Sequence, residues 1–240
     1  MRLKRIITLL CFSILIIGSS IISGVSFENN INTSNKYIYQ TGKTVLITGF
    51  ESWAIYSPNP SQLIAENLSN IEINGAEIVS IIVPVIWGEA VDFITQAIID
   101  YEPDIVISIG TGMINSIHVE KIGKNIKSCR EPDNEGRIFL LRRIDPRGPF
   151  LRFSNLPIKN IVLDINKAGI PVESTYNAGS FICNEVLYGV LNYIVRNDLS
   201  IYSGFIHVPL LYTQDPENGM DLETMMEALE IAISVCLEKL

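Results

Sequence analysis

A chain of 240 residues with 48% hydrophobic content is long enough to bury one substantial core and too short to require two large domains. Its 18 Lys and Arg stand against 26 Asp and Glu, a formal net charge of −8, so there is no electrostatic reason for it to bind nucleic acid.

The first five residues carry Arg2, Lys4 and Arg5, a near-continuous apolar run follows from Ile6 to Ile22, and Ser23, Gly24, Val25 and Ser26 come next. A basic start, an apolar middle and small residues in that order predict a secretory signal over residues 1–26, with an uncleaved membrane anchor as the alternative. Residues 27–41 are polar, rich in Asn, Ser and Tyr, and read as a linker to a folded domain at 42–240. That order places the domain in the secreted or extracytoplasmic space, attached to the membrane if the anchor is kept. Without the first 26 residues the chain has 15 Lys and Arg against 26 Asp and Glu, a formal charge of −11. Cys129, Cys183 and Cys236 remain; an odd number outside the cell leaves at least one thiol unpaired.

From Thr44 onward, β-rich runs alternate with amphipathic stretches, which predicts an α/β domain: three layers, α/β/α, around a largely parallel sheet. In chain order the expected strands are Thr44–Thr48, Glu77–Val83, Ile105–Ile109, Ile117–Ile122 and Gly204–Val208, and the expected helices Ser61–Leu68, Glu89–Tyr101, Ile158–Lys167, Gly179–Arg196 and Leu222–Glu238. Between Lys127 and Pro157 four prolines and many charges predict a long loop, the kind that in a compact domain is functional or mobile. Sites in such sheets gather at strand carboxyl ends.

Of the two histidines, His207 closes an apolar strand that Pro209 stops. Cys183 falls in the first turn of a predicted helix, where the partial positive charge of the helix start favours a thiolate. In Ile117–Ile122, strand alternation puts His118, Glu120 and Ile122 on one face, without saying whether that face is buried. Taken singly, each residue has a structural reading: a strand-end imidazole, a core thiol, an exposed carboxylate. Together they could supply a nucleophile, a base and an orienting group for acyl transfer. No metal-binding cluster or cofactor motif is visible in the sequence, and no Gly-x-Ser-x-Gly elbow marks a serine hydrolase.

Several strings carry a resemblance. Tyr176–Tyr188 (YNAGSFICNEVLY) resembles the nucleophile segment of the pyroglutamyl-peptidase I family, a family of cysteine peptidases, and Gly204–Pro209 (GFIHVP) its histidine segment. Glu120–Asn125, Pro132–Gly136, Thr48–Glu51 with Asn59-Pro60-Ser61, Val83-Pro84-Val85, Pro103-Asp104-Ile105 and Gly148-Pro149 are similar to further family blocks, in family order from Thr44 to the C-terminus. The resemblance implies removal of N-terminal pyroglutamate from peptides, with Cys183 attacking the pyroglutamyl carbonyl, His207 moving the proton and Glu120 positioning His207. It further implies that Arg130 helps bind the oxyanion, that Phe50 and Trp53 face the pyroglutamyl ring, and that the protein forms a homo-oligomer. Two departures touch the substrate side: Ala54-Ile55 stands where the family has Gly-Gly, and the segment Gly110–Asn115 is one residue short. They motivate an alternative, an exported relative that binds pyroglutamyl N-termini without cleaving them. Cys129 and Cys236 are expected to lie too far from Cys183 for a disulfide.

Overall fold

The computed structural model describes residues 42–240; the predicted signal or anchor and the linker lie outside the described residues. β1 (Thr44–Phe50), α1 (Pro60–Asn67), β2 (Glu72–Ile73), β3 (Ala76–Val83), α2 (Glu89–Tyr101) and β4 (Ile105–Thr111) form the first half. β5 (Ile117–Glu120), β6 (Ile122–Lys124), β7 (Lys127–Cys129), β8 (Phe139–Arg142) and β9 (Leu151–Phe153) follow, then α3 (Ile158–Lys167), β10 (Val172–Thr175), α4 (Ile182–Arg196), β11 (Tyr202–Val208) and α5 (Leu222–Leu237).

Seven strands make the central sheet in the order β10-β5-β11-β4-β1-β3-β2. Pairing is parallel except between β5 and β11 and between β2 and β3. Alternation along the strands feeds two cores. Val45 and Ile47, Ile105 and Ile107, and Ile206 and Val208 pack with α1, α3 and α5, while Leu46, Phe50, Val106 and Phe205 pack with α2 and α4. This is the expected three-layer α/β/α arrangement.

The strand cores and all five helices stand where the sequence predicts them, with shifted ends. β1 runs two residues beyond Thr48 because its pairing with β3 continues to Phe50 opposite Val83. α4 begins at Ile182 rather than Gly179, since Phe181 is still extended. α1 starts behind Asn59, whose side chain accepts the Ser61 N–H at 3.1 Å, with Pro60 as the first helical residue.

The expected single strand Ile117–Ile122 is instead two. β5 stays in the main sheet, the chain leaves it at Lys121, and β6 pairs antiparallel with β9 on top of α4. Gly123 makes this possible: a Cβ there would come within 2.6 Å of the Tyr188 backbone nitrogen and 2.7 Å of its Cα. Gly123→Ala therefore has to separate two pieces of backbone. It is expected to cost about 2–3 kcal/mol and lower the thermal midpoint by roughly 5–10 °C, read by calorimetry; an unchanged midpoint would show that β6 does not sit on α4.

The expected long loop at Lys127–Pro157 is likewise ordered by short pairings, β7 with β8 and β6 with β9. The buried Asn125 ties its far end, donating to the carbonyls of Asp145, Gly148 and Pro149 and accepting the Asp145 N–H at 2.8 Å.

Candidate active site

Cys183, the second residue of α4, sits where the first-turn N–H groups have no partners within the helix. The neighbouring Asn184 fixes this helix start. It is fully buried, donates to the carbonyls of Lys124 and Ile126 at 2.8 Å each, and accepts the Lys124 N–H at 2.9 Å. The sulfur lies over the end of β4: a Cβ on Gly110 would meet Cys183 Sγ at 3.0 Å and the Phe205 ring at 2.7 Å.

His207, near the end of β11, shares its sheet face with Phe205 and points toward α4. Its Nδ1 donates to Glu120 Oε1 at 2.9 Å, and Cys183 is close enough to act on the same imidazole. Glu120 is 1% exposed, so the sheet face left open by the sequence is a buried one. Its second oxygen accepts the Thr175 hydroxyl. Cys183, His207 and Glu120 are thus brought together from α4, β11 and β5.

Burial opposes a charge on His207, but the hydrogen bonds to Cys183 and Glu120 outweigh it and push the pKa up to about 9. Burial also opposes a charge on Glu120, and there the hydrogen bonds from His207 and Thr175 prevail, holding its pKa below the usual carboxylate value. Imidazolium and carboxylate therefore stabilise each other within a nearly dry setting.

Beside Cys183 lies a cavity of about 250 Å³ lined by Phe50, Trp53, Tyr56, Thr111, Phe181 and Ile182, among others. Trp53 stacks on Tyr56 at 5.8 Å and an interplanar angle of 11°, lies 4.8 Å from the Phe181 ring, and donates from Nε1 to the Pro132 carbonyl at 2.9 Å. The Trp53–Tyr56 pair closes a tight turn in which Ala54 adopts φ 49° and Ile55 is exposed. The chain thus closes this turn at the expense of a left-handed alanine. Tyr56 is close enough to Cys183 that the sulfur adds to the effect of burial in raising the phenol pKa.

Phe50 and Trp53 both line this cavity. Arg130 is exposed and makes no side-chain hydrogen bond or ion pair among the described residues, so its oxyanion role rests on the resemblance alone. Cys129, Cys183 and Cys236 are all unpaired. Cys236 is in the opposite core, whereas Cys129 lines the cavity beside Cys183.

Residues 43–239 match the family described as pyroglutamyl peptidase. The chain belongs to this family. It is 40% identical over 200 residues to the pyrrolidone-carboxylate peptidase of Thermoanaerobacter sp. (strain X514), covering 81% of this chain and 98% of that protein. It is 36% identical over 194 residues to that of Bacillus subtilis (strain 168), covering 79% and 90%. Among solved structures, pyroglutamyl peptidase I from Bacillus amyloliquefaciens superposes with a TM-score of 0.78 at 34% identity, covering 81% of this chain and 95% of that one. A variant of the pyrrolidone carboxyl peptidase of Pyrococcus furiosus gives 0.79 at 34% identity, covering 82% and 99%.

For this pyroglutamyl peptidase family member, three residues of the site escaped the sequence reading. Thr175 lies on a short polar strand with no clear apolar period, and Phe181 reads as core because it neighbours Ile182. Tyr56 follows Ala54-Ile55, which carries no turn signal.

Proposed function

We propose that this protein is an exported cysteine exopeptidase that removes pyroglutamate from peptide N-termini. The grouping of Cys183, His207 and Glu120 at the mouth of an aromatic cavity carries the reading. The pyroglutamyl ring is flat and uncharged, so it suits the faces of Phe50, Trp53 and Phe181. With Nδ1 committed to Glu120, His207 takes the thiol proton on Nε2. The thiolate attacks the carbonyl of the pyroglutamyl residue, and the negative oxygen turns toward the unpartnered N–H groups at the start of α4, with Arg130 the cation that the family resemblance supplies. His207 then gives its proton to the departing amine, leaving a thioester on Cys183. Water, deprotonated by His207, attacks the thioester; pyroglutamate leaves and the sulfur regains its proton.

Export is supported by the order of basic, apolar and small residues at 1–26. One experiment addresses activity and location together. Cells expressing the full chain are fractionated and each fraction is assayed with a pyroglutamyl fluorogenic amide in a reducing buffer. Hydrolysis in the extracytoplasmic fraction is expected. Hydrolysis confined to the cytoplasm removes the export reading, and binding of the amide without turnover favours a non-catalytic receptor.

A further inference from the structure

The row of residues beneath the site continues past His207. In the sheet register His207 is paired with Gly110 of β4 on one side and with His118 of β5 on the other, and His118 is paired with Glu173 of β10. Directly opposite residues of neighbouring strands place their side chains on one face of the sheet. The row therefore reads Gly110 under the Cys183 sulfur, then His207, His118 and Glu173. The aromatic cavity lies toward Phe50 and β1, at the Gly110 end. At the other end is a second cavity of about 410 Å³, lined by His118, Glu173, Asp215, Asn218, Asn115 and Met113, among others.

His207 must hand its proton to the departing amine, so the released chain has to pass on the His207 side of the sulfur, away from the ring pocket. On that side the next residue of the row is His118, which lines the second cavity. Resting on the peptidase reading, we infer that this cavity is the subsite for the leaving peptide and that it favours a cationic side chain, lysine or arginine, in the residue released behind pyroglutamate.

The chemistry of the lining sets the preference. Two carboxylates face one imidazole there, and the lining includes no Lys or Arg. Glu173 Oε1 is 2.9 Å from His118 Nε2, and the Glu173 side chain is 61% exposed, which leaves its second oxygen to solvent or to a ligand. Asp215 accepts the backbone N–H groups of Glu217 and Asn218, which hold its carboxyl below the usual range and keep it charged. Met113 is 72% exposed and offers an apolar wall for the methylene stem of a long cationic side chain.

The test compares kcat/KM of the full chain on three substrates, pyroglutamyl-lysine, pyroglutamyl-alanine and pyroglutamyl-glutamate amides. Wild type should favour lysine over glutamate, and the preference should shrink as salt is added, because the Glu173 carboxylate is solvent-exposed. In Glu173→Gln the lysine-to-glutamate ratio should fall about three- to fivefold, the scale of an exposed ion pair, and Glu173→Asp should restore much of it. The ratio is internal to each variant, so a general loss of activity cancels. An identical ratio in wild type and Glu173→Gln overturns the subsite while leaving the peptidase reading in place. Failure of wild type to cleave any of the three overturns the peptidase reading, and the subsite with it.

Discussion

Cys183→Ala is expected to lower kcat for a pyroglutamyl amide by about 10⁵–10⁶-fold, the scale seen when a covalent nucleophile is deleted, while the ligand still binds. The sulfur is the one group among Cys183, His207 and Glu120 able to form the thioester, and alanine leaves the aromatic cavity intact, since none of its walls is the Cys183 side chain. Stopped-flow and steady-state kinetics on the purified variant, with binding followed by calorimetry, separate the two effects. Activity within tenfold of wild type would remove the thiolate mechanism. The same substitution should return the His207 pKa toward its ordinary value, because the hydrogen bond to Cys183 is the leading influence raising it.

Glu120→Gln is the second large effect, with an expected loss of about 10²–10⁴-fold in kcat/KM. A glutamine at this buried point can present its amide N–H to His207 Nδ1, so that two donors face each other, or present its oxygen without the charge that supports the imidazolium. Either way the pH profile reports the change. His207 is protonated below its pKa of about 9 and loses its proton above it, so the wild-type alkaline limb should lie near pH 9. Removing the carboxylate takes away a group that raises this pKa, so the limb should move toward lower pH. The limb belongs to the coupled Cys183–His207 pair rather than to one residue. A limb that stays in place in Glu120→Gln would show that the carboxylate does not govern the imidazole.

The sheet was legible where apolar residues recur with a clean period. β1, β3, β4 and β11 are rich in Ile and Val, and α2 and α3 fall within the predicted bounds because their periodicity and ends agree. The strings around Cys183, His207 and Glu120 singled these residues out through the family resemblance, and the fold brings His207 and Glu120 within 2.9 Å of each other. What could not be read depends on long-range contact. The break at Lys121 follows from Gly123 meeting Tyr188, 65 positions on, and no local pattern announces it. β10 is a polar edge strand, Val172-Glu173-Ser174-Thr175, yet it supplies both the hydroxyl on Glu120 and the acidic wall of the second cavity. Proximity of Cys129 to the ring pocket was hidden for the same reason: β7 is three residues long and is held to the segment before α4 by the hydrogen bond from Ser128 N to the Ser180 carbonyl at 2.8 Å.

Asn184 gives the architecture a particular vulnerability. Cys183 is held in part through its immediate successor in the chain, which is lashed to the carbonyls of residues 124 and 126, so the position of the sulfur depends on a strand outside the main sheet. Damage to that small strand pair would reach the chemistry first, as misaim, before it registered as unfolding.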